Sequence, residues 1–175
     1  LQTQTLLCGF KIARLRQFWF SSAMLKLRVF LVYWLPVVLW MLLIFGGSGD
    51  SSSFQHSSRI IGPFVHWLFP NLPEEQVRDI VVAVRKCAHL TEYAILAMLL
   101  WRAKRKPLRK GFRTWLWRDA GWALLLSAIY AATDEFHQTF VPSREGCLRD
   151  VIIDTLGAAA GLLALWVLGR WRKRW

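Results

Sequence analysis

YAATDEFHQTFVPSREGCLRDVIIDTLGAAAG, residues 130–161, places acids at the mouths of two apolar segments joined by a Pro-Ser-Arg turn. At helical spacing Asp134 and Gln138 lie one turn apart, and their face continues back through Tyr130, Ser127, Ala123 and Ala120. In the next segment Asp150, Asp154, Gly157 and Gly161 fall within about 60° of one another at roughly 100° per residue. Both segments are otherwise too apolar all round to have a wet side. The acids are therefore expected to face protein.

Composition sets the class. A hydrophobic content of 55%, 11 Trp and a mean hydropathy of +0.31, combined with a net charge of +12, fit a membrane protein whose charges sit in short loops. The length of 175 residues suits one bundle, and no repeat or low-complexity segment divides it. Lys and Arg gather at segment ends rather than along one face, so a nucleic-acid partner is not expected. Cys8, Cys87 and Cys147 are odd in number and lack metal-ligand spacing, which supports neither a disulfide framework nor a zinc site. No cofactor is expected.

Four spans account for the loops. Residues 1–28 hold five basic side chains and no acid and read as a retained amphipathic arm on the membrane surface. Residues 29–47 form the first span, with Pro36 as a kink. A Gly-, Ser- and Pro-rich stretch, 46–79, follows, and its aromatic part, 60–69, reads as an interfacial helix or a lid. Residues 80–101, 120–136 and 151–168 are the remaining spans, and a basic tail, 171–175, closes the chain. The transmembrane domain thus covers 29–170. The arm, the loop 102–118 and the stretch from Arg170 hold five, eight and four of the 23 Lys and Arg, which places that side, with both termini, in the cytoplasm. The Trp residues near segment ends read as interface anchors.

This topology brings polar groups of three helices into one layer. Counting from residue 80 at about 1.5 Å per residue, Lys86 lies roughly 9 Å in and His89 roughly 13 Å. Lys86, His89 and Tyr93 share a narrow face, with Glu92 about 100° aside. That face is expected to look at Asp134, Gln138, Asp150 and Asp154, with Lys86 neutralising Asp134 or Asp154. Gly157 and Gly161, with three alanines between, let the last helix approach closely. Unpaired, Lys86, Glu92, Asp134, Glu135 and Asp154 would cost on the order of 10 kcal/mol inside a bilayer. A register device needs one ion pair. This cluster gathers Lys, His, Tyr, several acids, Gln and Arg144, which points to function.

KCAHLTEYAIL at 86–96, followed by DEFHQTFVPSREGCLRDVIIDTLGAAAG at 134–161, resembles the VanZ-like family of bacterial membrane proteins over residues 30–170 or so. The resemblance implies a polytopic plasma-membrane protein of a family whose founder is associated with teicoplanin resistance, without an established reaction. It carries over Lys86, His89, Glu92, Tyr93, Asp134, Glu135, Gln138, Arg144, Asp150 and Gly157 as characteristic residues. Pro-Ser-Arg at 142–144 replaces the frequent Pro-Gly-Arg, and Asp154 stands where Asn is frequent.

Three functions compete. One is binding or modification of an amphiphilic or lipid-linked envelope component, a lipoglycopeptide included, with Lys86 and Arg144 for phosphate or carboxylate and Tyr93 and Gln138 for orientation. Another is an intramembrane enzyme in which His89 is the acid or base, tuned by Glu92, Asp134 or Glu135, acting on a lipid-linked headgroup with water or a substrate hydroxyl as nucleophile. The last is a structural or proton-coupled transport subunit, for which four spans call for a homo-oligomer.

Overall fold

The computed structural model describes residues 24–49, 53–105, 114–141 and 146–175, and all regular structure among them is helical. The first helix runs through a π-helical turn, Phe30–Trp34, into α1, Leu35–Gly49. Pro36 explains the turn. It has no N–H for the carbonyl one turn back and its ring crowds that turn, so the helix widens just before it, and the Leu35 N–H bonds the Phe30 carbonyl instead. The expected kink is thus a local π-turn. Residues 24–28, placed in the arm by sequence, are helical and continuous with the span candidate Met24–Ser48; residues 1–23 lie outside the described residues.

Next comes α2, Ser53–Leu68, longer than the aromatic stretch at its C-terminal end. Then α3, Glu74–Arg105, starts with Glu74 and Glu75 and ends with Arg102, Lys104 and Arg105, charges that suit the helix dipole at both ends. The other two are α4, Trp117–Gln138, and α5, Leu148–Trp171. After α5 the chain stops in a Schellman turn, with Lys173 at φ 50° and the Arg174 N–H bonded to the Gly169 carbonyl at 2.8 Å.

The most extensive contact is α3 on α5, with α4 against both; the first helix lies on α3 and α4, and α2 rests on α3. The long helices alternate in direction. At one end the Arg102 guanidinium stands 5.4 Å from the Tyr33 ring and Trp101 meets Trp175 at 5.7 Å. At the other, Ser48 bonds Asp134 and Lys86 bonds Asp150. Both described chain ends therefore lie at the first, basic end.

Small residues make the close approaches. A Cβ on Gly157 would press on the Leu90 carbonyl oxygen and lie 2.8 Å from Leu90 Cα, and one on Gly161 would lie 2.8 Å from Ala94 Cα. Ala97, Ala131 and Ala158 are wholly buried beside Tyr93 and Leu96. Outside, large apolar side chains are bare: Leu42 is 60% exposed and Leu156 60%, whereas Asp154 is 3% and Asp134 2% exposed. Charges inside and leucines outside invert the pattern of a water-soluble bundle and match an apolar surround. By length and composition, two helices among the described residues, Met24–Ser48 and Leu148–Trp171, are apolar enough to cross a membrane.

The tryptophans divide. Trp117 and Trp171 are exposed as interface anchors are, but Trp101 is buried and stacks on Trp115 at 5.0 Å. Trp101 packs the basic end together instead of anchoring it.

Candidate functional site at the polar end of the bundle

The first half of α3 leads inward from the polar end. The side chains of Lys86 and His89 are 39% and 29% exposed, while Tyr93, one turn deeper, is wholly buried. Lys86 Nζ bonds Asp150 Oδ1 at 3.2 Å. This corrects the expected pairing with Asp134 or Asp154: Asp150 sits in the first turn of α5 at the depth of Lys86, and Asp154 is a turn further in. An ion pair so exposed is worth about 0–1 kcal/mol in water. Glu92 stays with its own helix, its carboxylate 3.7 Å from His89 Nδ1, and its backbone carbonyl accepts the Trp40 indole N–H at 2.9 Å. That second bond ties α1 to α3.

Asp134 is held from two helices. Its Oδ2 accepts the Ser48 hydroxyl at 2.9 Å and the Gln138 amide at 3.3 Å, and Gln138 also donates to Ser48 Oγ at 2.7 Å. All three side chains are buried. Oδ1 of Asp134 and the Tyr93 hydroxyl are buried and have no hydrogen-bond partner among the described residues. The Tyr93 hydroxyl lies within electrostatic reach of Asp134, Asp154, Tyr130 and Glu135. A buried acceptor and a buried donor are thus left open in one cluster, each at a cost of about 1–3 kcal/mol. Tyr130, beside Tyr93, donates its hydroxyl to the Met41 carbonyl at 2.6 Å.

Asp154 has neither a hydrogen bond nor an ion pair among the described residues, and the groups acting on it are the acids Glu135, Asp134, Asp150 and Glu92. Glu135 has a structural task. Its Oε2 accepts the N–H of Cys147, the N-cap residue of α5, at 2.9 Å, and Gly146 lies so near Thr139 and the Glu135 carbonyl that a Cβ would not fit. That oxygen holds the start of α5 in place. His137 packs on Phe45 at 4.4 Å. Arg144 lies outside the described residues.

The structure thus gathers Lys86, His89, Glu92, Tyr93, Asp134, Glu135, Gln138, Asp150 and Asp154 at one end. It adds Ser48, which the sequence reading left in a loop. Among the described residues no group of three or more His, Cys, Asp or Glu side chains is arranged to hold a metal ion.

These features define a small helical bundle with an apolar exterior and a polar, partly unsatisfied cluster buried at one end. Residues 30–169 match the family model VanZ/LLP1, and the chain belongs to the VanZ-like family. No curated protein and no solved structure matches the chain.

Proposed function

We propose that this VanZ-like protein is a multi-pass protein of the bacterial plasma membrane, with four spans and both chain ends cytoplasmic, and that its outer polar cluster binds the headgroup of an amphiphilic or lipid-linked envelope component. The observation that carries this is the open pair, the Tyr93 hydroxyl and Asp134 Oδ1. A guest that both accepts and donates, through a hydroxyl or an amide, satisfies the two at once. Lipid-linked sugars and peptides have such groups, and so do glycopeptides such as teicoplanin. The expected phosphate or carboxylate contact at Lys86 is weakened, because Lys86 already has Asp150.

The four-span reading draws support from the alternating helices, the bare leucines and the basic residues at the end where the chain ends lie. α3, at about 1.5 Å per residue, extends roughly 48 Å. That exceeds the hydrocarbon thickness of about 30 Å, so its charged first turns sit at headgroup level. Cysteines introduced at Ser52 and Lys106 should react with an impermeant thiol reagent from opposite sides, Ser52 from outside. Labelling of both from one side would remove the topology.

A second reading rests on the His89 and Glu92 side chains 3.7 Å apart at the rim, an arrangement suited to acid-base chemistry on a bound headgroup. Lipid profiling of purified wild type and His89→Ala separates the two. Under the binding reading His89→Ala carries the same unmodified amphiphile as wild type. Under the enzymatic reading cells with His89→Ala lose a modified envelope lipid. If no envelope amphiphile accompanies the wild-type protein and no envelope lipid changes, both readings fail.

A further inference from the structure

The basic end contains a second arrangement, independent of the polar cluster. A cavity of about 500 Å³ is lined by Thr114, Arg170, Lys173 and Trp175. Its size lies within the range of small-molecule sites. Arg170 and Lys173 have no acidic partner among the described residues, while the neighbouring Lys104 and Arg105 lie about Asp119 at 3.9 and 4.0 Å. Two cations and a hydroxyl thus face the cavity with no anion among its described lining side chains.

The aromatic wall supplies a further observation. Trp175 contacts Trp115 at 5.4 Å and Trp101 at 5.7 Å, and it gives its own indole N–H to the Trp166 carbonyl at 3.1 Å. The indole N–H groups of Trp101 and Trp115, which do not line the cavity, are buried with no acceptor among the described residues. An indole nitrogen is only a donor. At the cavity, then, two cations and a hydroxyl lack an acceptor-rich, negatively charged partner among the described residues. Trp171, 78% exposed, and Leu168, 47% exposed, stand close by in the chain and offer an apolar track on the outer surface of α5.

We propose that this cavity binds the phosphate of an anionic phospholipid, with Arg170 and Lys173 on the phosphate oxygens, Thr114 as a further donor, and the acyl chains along the outer face of α5. Cation pairs next to an aromatic wall at a membrane surface suit such headgroups. The lipid would tie the end of α5 to the α3–α4 turn by joining side chains from both.

The test uses the full chain purified in a neutral detergent. Its melting temperature is measured while phosphatidylglycerol, phosphatidylcholine with the same acyl chains, or inorganic phosphate is added, and retained lipid is read by native mass spectrometry. Phosphatidylglycerol should raise the melting temperature and remain bound; phosphatidylcholine and phosphate should not. Lys173→Asn, a residue that tolerates the left-handed conformation at this position, should need at least ten times more phosphatidylglycerol for the same shift, with the lipid-free melting temperature unchanged. Equal effects of the two lipids overturn the proposal, as does an equal response of Lys173→Asn and wild type. A shift with inorganic phosphate as large as with phosphatidylglycerol means a free-phosphate site and overturns the lipid assignment. The wild-type lipid comparison decides even if the variant fails to fold.

Discussion

Gly157→Leu is expected to prevent assembly of the bundle. The substituted side chain would have to enter a space where even a Cβ lies 2.8 Å from Leu90 Cα and presses on the Leu90 carbonyl oxygen. The obstacle is backbone, which cannot rotate away. Overpacking a core costs about 1–3 kcal/mol where side chains can shift. Here α5 must move off α3, the largest contact in the molecule, and Asp150 would leave Lys86 with it. Folded yield in detergent should fall to a small fraction of wild type. Leu163→Ala, on the exposed side of the same helix, should leave yield and melting temperature unchanged. Wild-type behaviour of Gly157→Leu would mean that the two helices are not packed in this way.

Asp134→Asn should separate stability from function. The amide keeps the size of the side chain and can still bond Ser48 and Gln138. It also removes one charge from a group in which Asp154 feels Glu135, Asp134, Asp150 and Glu92 together. Uncompensated buried charge destabilises, so the variant should melt at the wild-type temperature or above it. Retention of the bound amphiphile should nevertheless weaken about ten-fold, the equivalent of about 1.4 kcal/mol. A device that only sets helix register predicts otherwise: melting temperature and amphiphile retention would drop together, or neither would change.

Much of this arrangement can be read from residue spacing alone. Ala120, Ala123, Ser127, Asp134 and Gln138, placed on one face by periodicity, are all buried on α4. Gly157 and Gly161 fall where α5 meets α3 most closely. The partner of Lys86 could not be read in this way. Sequence gives the face and the rough depth of a side chain, but Asp150 and Asp154 share a face and differ by one turn. Only the relative height of α3 and α5 selects Asp150.

Ser48 was hidden for another reason. It follows Gly46 and Gly47, and each glycine weakens a helix by about 1 kcal/mol relative to alanine, so the run looks like a loop. Tertiary contact carries α1 on to Gly49 and sets the Ser48 hydroxyl on Asp134. The cavity at the basic end was equally hidden, because it depends on Trp175 folding back over α5, beyond the reach of any helical repeat. The tryptophan count suggested an interface belt but not which indoles turn inward.

The central claim is that the buried polar end receives a ligand, and Tyr93→Phe tests it most directly. The change deletes one oxygen, and that oxygen is buried with no partner among the described residues. If it waits for a guest, the variant should fold as well as wild type or melt higher, since an unsatisfied group costing about 1–3 kcal/mol is gone. Its bound amphiphile should fall by several-fold in the same preparations. Full retention of the amphiphile in Tyr93→Phe would contradict the account and leave the cluster with a structural role only.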